Sequence, residues 1–304
     1  MARKPKNCIK LDGILPLDKP AGMSSNQALQ QAKRILRACK AGHTGSLDPI
    51  ATGLVLLCFG EATKVSQFLL EADKRYWVDI KLGQATDSYD SEGQIVETRP
   101  VETDRRRIEK ALRQFQGRIS QTPPMFSAIK QNGQPLYKLA RQGIEVERKP
   151  REIEIYEISI EDFSGDRLQL EIHCGKGTYI RSLAHDLGQM LGCGAHVTGL
   201  RRLQAGAFSI DQAMTMNTLQ ETPPEGHAGL LLPTDQALLD LPEVSLTSLA
   251  THYLLQGQPV SVRHSHPPGW VRLYAEGAQF LGMGQVLEDG RVAPKRLMQT
   301  AQKV

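Results

Sequence analysis

Residues 153–174 read Ile-Glu-Ile-Tyr-Glu-Ile-Ser-Ile-Glu-Asp-Phe-Ser-Gly-Asp-Arg-Leu-Gln-Leu-Glu-Ile-His-Cys. Ile153–Ile160 alternates closely enough to be a strand with one face on a core, and Arg167–Cys174 alternates without a break. Ser164-Gly165-Asp166 between them supplies turn residues, so the two runs pair as an antiparallel hairpin. A crossover helix has no room there, so a parallel βαβ unit is excluded at this point of the chain.

Working outward, Tyr76–Leu82 alternates as Tyr-Trp-Val-Asp-Ile-Lys-Leu. Ile14–Leu17, Leu54–Phe59 and Val197–Phe208, the last containing Gly199, also read as strands. Helices are expected from Ser24/Ser25 through Lys40, over Ala62–Ala72, over Arg105–Phe115 behind a Thr103 cap, over Pro135–Gln142 after the Asn132-Gly133 turn, and over Thr178–Leu191. Gly42–Pro49 reads as a loop, and residues 86–93 as a polar turn before a strand at Gln94–Glu97. Without a βαβ rhythm, the fold class is α+β with a mixed, largely antiparallel sheet. The acidic, proline-bearing stretch Thr222–Pro242 marks a boundary, which divides the chain into 10–245 and 246–304. Beyond it, short strands at Pro259–Val262, Val271–Ala275 and Phe280–Leu287 suggest a small β-rich module.

The chain has 304 residues, 40% hydrophobic and 23% charged, as in globular proteins. Its longest apolar run, Leu54–Phe59, is far short of the roughly 20 residues of a membrane helix. The start, MARKPKNCIKLDG, has no apolar stretch behind it, so no secretory leader is expected and the cytoplasm is the expected compartment. Five dispersed cysteines without a Cys-x-x-Cys pair speak against a disulfide scaffold and a zinc ribbon. His264 and His266 lack the other ligands that zinc requires.

Charge is unevenly spread. Residues 1–50 carry a balance of +6, residues 211–250 hold six acids and no Lys or Arg, and residues 251–304 return to +3. Basic ends around an acidic segment suit a polyanion held across two lobes, or a solvated surface with chance clustering.

Phosphate-binding and dinucleotide-binding glycine loops and a nucleophile elbow are all missing. His43, Ser46 and Asp48 share one short loop and cannot form a relay triad. Two segments remain. Asp48 sits between Leu47 and Pro49 in the glycine-rich stretch 42–53, where it either makes a turn or presents a fixed carboxylate. Gly175-Lys176-Gly177-Thr178-Tyr179-Ile180-Arg181-Ser182-Leu183 opens a helix with an Arg able to grip a carboxylate or phosphate.

Taken together and in order, the motifs resemble those of the bacterial tRNA pseudouridine-55 synthases of the TruB type. The carrying stretches are Gly-Ile-Leu-Pro-Leu-Asp-Lys-Pro at 13–20, Gly-His-Thr-Gly-Ser-Leu-Asp-Pro at 42–49, Gly-Glu-Ala-Thr-Lys at 60–64, Tyr76, Gly-Gln-Ala-Thr-Asp-Ser-Tyr-Asp-Ser-Glu-Gly at 83–93, Gln-Thr-Pro-Pro-Met-Phe-Ser-Ala at 121–128, and 176–183. The resemblance runs from about residue 10 to 210 and is looser after 245, where the family carries a small PUA-type RNA-binding domain. It implies the pseudouridine synthase sheet, no metal and no cofactor, and one essential aspartate, Asp48. It further implies Arg181 as the partner that lowers the pKa of Asp48, and Tyr76 against the base, helping with the C5 proton. His43 would contact the rearranged RNA, and Tyr179 and Leu200 would hold the base. Lys19 and Lys64 are candidate phosphate contacts or plain surface lysines. The implied partner is the tRNA T-loop, with no membrane and no obligate protein partner, and the chain is expected to be a monomer. The alternatives are a guide-RNA-dependent relative and a tRNA-binding or folding factor without catalysis.

Overall fold

The computed structural model describes residues 8–262 and 266–299; His264 lies outside them. The main sheet runs in the order Met214–Thr215, Gly13–Lys19, Thr52–Phe59, Ala195–Ala205, Lys74–Leu82, Arg167–Cys174, Arg151–Ser164, Gly117–Gln121. Along this path only the Gly13–Lys19 pairing with Met214–Thr215 and the Thr52–Phe59 pairing with Ala195–Ala205 are parallel. The mixed, largely antiparallel α+β class is thus the observed one. The opening hairpin forms as read, with Ile160 opposite Leu170 and Ser164 opposite Arg167.

The unbroken apolar run at 54–59 follows from a sheet covered on both faces. Val55 and Leu57 join Leu15, Leu17, Val78, Ile80, Leu168 and Leu170 under the helices Ser25–Ile35, Arg105–Leu112 and Ile180–Leu191. Leu54, Leu56 and Cys58 point the other way, against Ala62, Leu69 and Phe208.

Several boundaries differ from the sequence expectation. The first helix has a capping box at Ser24 and Gln27, but it stops at Ile35 rather than Lys40, and Arg37 takes a left-handed φ of 50°. Cys39 is joined to Cys8 by a disulfide that the spacing of the cysteines does not signal; Cys58, Cys174 and Cys193 are buried thiols. Part of the expected 42–49 loop is a strand, Ala41–Thr44, because its backbone pairs with Thr52–Phe59. The 62–72 helix divides into a 3-10 turn, Gly60–Lys64, and the helix Ser66–Glu71. Asp104, not Thr103, caps the helix Arg105–Leu112, by accepting from the Arg107 amide.

A second, four-stranded sheet joins Glu243–Ser245, Gly269–Ala275, Gln279–Val286 and Val292–Leu297 around its own core of Val244, Leu254, Leu273 and Leu281. The expected boundary at 245/246 leaves Glu243–Ser245 on the other side, although it pairs with Gly269–Ala275. The expected strand at Pro259–Val262 contributes a single bridge, Val260 to Val292. Val65 and Leu238 pack on Met283 and Met298 between the two sheets. Among the described residues no helix is long and apolar enough to cross a membrane.

Candidate active site

Asp48 is held by its backbone before its side chain does anything. Gly45 turns the chain with φ +69°, a conformation that favours glycine. The buried Ser25 hydroxyl accepts from the Leu47 amide at 2.7 Å, tying the loop to the start of the first helix. On the far side the Lys19 ammonium donates to the carbonyls of Pro20 (2.8 Å), Met23 (2.7 Å) and Pro49 (3.4 Å). Lys19 is fully buried, and burial brings its pKa down to about 8. Both sequence readings of Lys19, phosphate contact and surface lysine, are therefore wrong: its donors are spent on the loop. Lys64 is committed as well, to Glu61 at 2.5 Å and to the Leu297 carbonyl at 2.7 Å, where it ties the second sheet to the first.

The Asp48 side chain remains 38% exposed and meets the nearly buried Arg181 from the first turn of the helix Ile180–Leu191. Nε lies 2.9 Å from Oδ2, and Nη2 donates to Oδ1 at 3.0 Å, a two-pronged grip. The same guanidinium donates to the carbonyls of Ser88 (3.0 Å) and Phe126 (2.8 Å) and lies 3.3 Å from the buried Asp90 carboxylate. Asp90 was not singled out by the sequence reading, which took residues 86–93 for a polar turn. It does make that turn, accepting from the Ser88 hydroxyl at 2.6 Å and the Glu92 amide at 3.1 Å. One side chain closes a turn and shares the arginine.

Arg181 does pull the Asp48 pKa down, through its charge and its hydrogen bond, as the resemblance implies, but it does not set the outcome. Burial pushes the Asp48 carboxyl above its ordinary value and outweighs the opposing pull of Arg181, while Asp90 adds to the rise. One guanidinium is divided between two carboxylates.

Tyr76 and Leu200 come from neighbouring strands, with Leu200 opposite Val78 and Arg202 opposite Tyr76. Burial raises the Tyr76 pKa, and the positive charge of Arg202, opposite it in the strand pair, works against that rise. His43 stands on Ala41–Thr44 opposite Leu57; burial, then Arg202, lowers its pKa, so its ring is neutral at pH 7. Tyr179 caps the Arg181 helix and is fixed by Gln121, whose amide group donates to the Tyr179 carbonyl at 3.0 Å and accepts from its amide at 2.8 Å. Arg202, opposite Tyr76, donates to the carbonyl of Gly45, which lies between His43 and Asp48 in the chain, and Tyr179 stands two residues before Arg181. The structure thus brings Asp48, Tyr76, Arg181, His43 and Tyr179 to one place, with Leu200 beside Arg202 on the same face of the sheet. Among the described residues no group of three or more His, Cys, Asp or Glu side chains is placed to hold a metal ion.

A part-exposed carboxylate gripped by an arginine that a second, buried acid shares, with tyrosines at its edge, is suited to chemistry on a sugar or base. The fold matches a solved Cbf5-Nop10-Gar1 complex at TM-score 0.74 and 26% identity, over 94% of this chain and 85% of that one. A solved Nop10-Cbf5 complex from an archaeal box H/ACA sRNP, at TM-score 0.71 and 23% identity, covers 95% and 86%. Residues 33–180 match the pattern of the TruB family pseudouridylate synthase N-terminal domain. Residues 181–239 match the tRNA pseudouridylate synthase B C-terminal domain, and residues 242–298 the pseudouridine synthase II TruB C-terminal pattern. Proteins named tRNA pseudouridine synthase B are 50% identical in Tolumonas auensis, over 94% of this chain and 92% of that one, and 52% identical in Coxiella burnetii, over 95% of each. The chain belongs to the TruB family of pseudouridylate synthases.

Proposed function

We propose that the protein isomerises uridine 55 in the T-loop of tRNA to pseudouridine, with Asp48 beside the ribose of the target. The reaction breaks C1′–N1, turns the base and rejoins it through C5. Asp48 acts in its ionised form, either as nucleophile at C1′ or as base at C2′. Arg181 aims the carboxylate and keeps its own charge at any working pH. Tyr76 lies against the base, Tyr179 and Leu200 close its other sides, and His43 touches the RNA beside it. A base inside a folded loop must be extruded first, at a cost of a few kcal/mol that these contacts offset.

The observation that carries this reading is the two-pronged Arg181–Asp48 pair. A protein that only bound tRNA has no use for a part-exposed carboxylate held at both oxygens by a buried arginine. About 50% identity over nearly the whole chain to tRNA pseudouridine synthase B relatives favours tRNA over a guided RNA substrate. The protein acts in the cytoplasm as a monomer without guide or partner; the residues from 10 to about 242 form the catalytic part, and the second sheet, which begins with Glu243–Ser245, an RNA-contacting part. Asp48→Asn is the test. Conversion of unmodified tRNA should vanish while tRNA binding persists, and retained turnover would overturn the assignment.

A further inference from the structure

Two of the groups around Arg181 come from residues that flank a single tyrosine. The Ser88 carbonyl accepts from Nη1 at 3.0 Å, and the Asp90 carboxylate lies 3.3 Å from the same nitrogen. Between them Tyr89 takes a φ of 66°, in the left-handed region that an L side chain seldom enters. Among the described residues the other non-glycines found there, Arg37, Asn132 and Ala278, follow a helix or turn a hairpin. Tyr89 does neither.

The backbone shows what this angle does. Asp90 is bridged to Val197 at the start of the strand Ala195–Ala205, and the Tyr89 carbonyl accepts from the Val197 amide at 3.0 Å. With that side fixed, rotation about the N–Cα bond of Tyr89 swings the peptide plane that carries the Ser88 carbonyl. The positive φ aims this carbonyl at Arg181, and an ordinary negative φ would carry it away. The Tyr89 amide offers little to hold the angle, only a long bond of 3.3 Å to the Thr86 carbonyl. The side chain offers more. Its ring stacks on His185, with centroids 3.9 Å apart and planes inclined by 16°. His185 lies one turn beyond Arg181 on the helix Ile180–Leu191, so the stack ties the turn to the helix that carries the arginine.

We propose that Tyr89 and His185 are positioning residues: their stack holds Tyr89 in the left-handed conformation and so keeps the Ser88 carbonyl on Arg181, fixing the plane of the guanidinium that grips Asp48. The inference rests on the isomerase reading above and deepens it. In this role neither ring acts on the RNA, and only the backbone angle matters. A residue that enters the left-handed region freely therefore needs no stack. Glycine is such a residue and alanine is not.

Four variants test this in single-turnover assays on unmodified tRNA, beside the wild type: Tyr89→Ala, Tyr89→Gly, His185→Ala, and Tyr89→Gly with His185→Ala. Tyr89→Ala loses the ring but keeps the steric penalty of a Cβ, and should slow conversion roughly 5- to 30-fold. His185→Ala removes the stack from the other side and should slow it about three- to tenfold. Tyr89→Gly deletes more than Tyr89→Ala does, yet should convert within about threefold of wild type. Adding His185→Ala to Tyr89→Gly should slow it no further, because the stack is already gone. KM should change little throughout. Glycine as slow as alanine, a Tyr89→Ala rate equal to wild type, a further loss from His185→Ala in the glycine variant, or a raised KM would each overturn the proposal. If Tyr89→Ala does not fold, His185→Ala with and without Tyr89→Gly decides, since alanine is the best helix former and His185 lies within a helix. A wild-type protein that leaves tRNA uridine intact would defeat the isomerase reading itself.

Discussion

Replacing Arg181 by lysine keeps the positive charge and removes the fork. The guanidinium serves both oxygens of Asp48, the Asp90 carboxylate and two carbonyls. An ammonium has three donors on one point and cannot reach all five partners. Losing one charge-assisted bond at Asp48 costs roughly 2–3 kcal/mol of orientation in the transition state, which is about 30- to 160-fold in rate. The assay is the single-turnover rate of pseudouridine formation in unmodified tRNA, followed by loss of the C5 hydrogen, with thermal unfolding measured alongside. Arg181→Met should cost far more stability, because it leaves two carboxylates without a cation, a loss of about 3–5 kcal/mol for a buried pair. An Arg181→Lys rate within about threefold of wild type would refute the reasoning, since that change is under 1 kcal/mol.

The rate should also fall as pH drops through the Asp48 pKa, because the carboxylate form acts. Asp90 raises that pKa, so Asp90→Asn should move the acid limb of the kcat profile to lower pH; an unmoved limb would contradict the shared-arginine geometry. Gly188→Ala should destabilise the protein by about 1–3 kcal/mol in denaturant titration, because its Cβ would sit 2.2 Å from the Ala195 amide nitrogen and 2.4 Å from the Gly194 carbonyl carbon. Lys64→Met should speed amide exchange at Gln299, whose N–H donates to the Glu61 carboxylate that Lys64 also holds, with little effect on the main sheet.

The parts of the fold that could be read from the sequence are those where side-chain period and backbone pairing agree. Residues 153–174 alternate because each strand has one face on the core, and Ser24 with Gln27 spells a capping box in four letters. Ala41–Thr44 escaped because it is short and contains Gly42, and its pairing partner lies beyond a turn. The site was legible only through the order of its motifs. Asp48 before Pro49 is by itself a turn residue, and Asp90 does make a turn while also sharing Arg181. Lys19 looked like a charge at the end of a strand. Its burial is set by carbonyls at positions 20, 23 and 49, which no local pattern brings together. Arg201 and Arg202 are the sharpest case, since alternation sends one to Asp18 and the other beneath the catalytic loop. Only the register against Trp77 and Tyr76 says which is which.

The central claim is that this chain alone converts one uridine of the tRNA T-loop. Incubation of the purified protein with an unmodified tRNA transcript, without metal, guide RNA or partner, followed by mapping of pseudouridine along the strand, tests it most directly. The account predicts a single pseudouridine at position 55, absent with Asp48→Asn. Intact uridine there, with tRNA tightly bound, would contradict it.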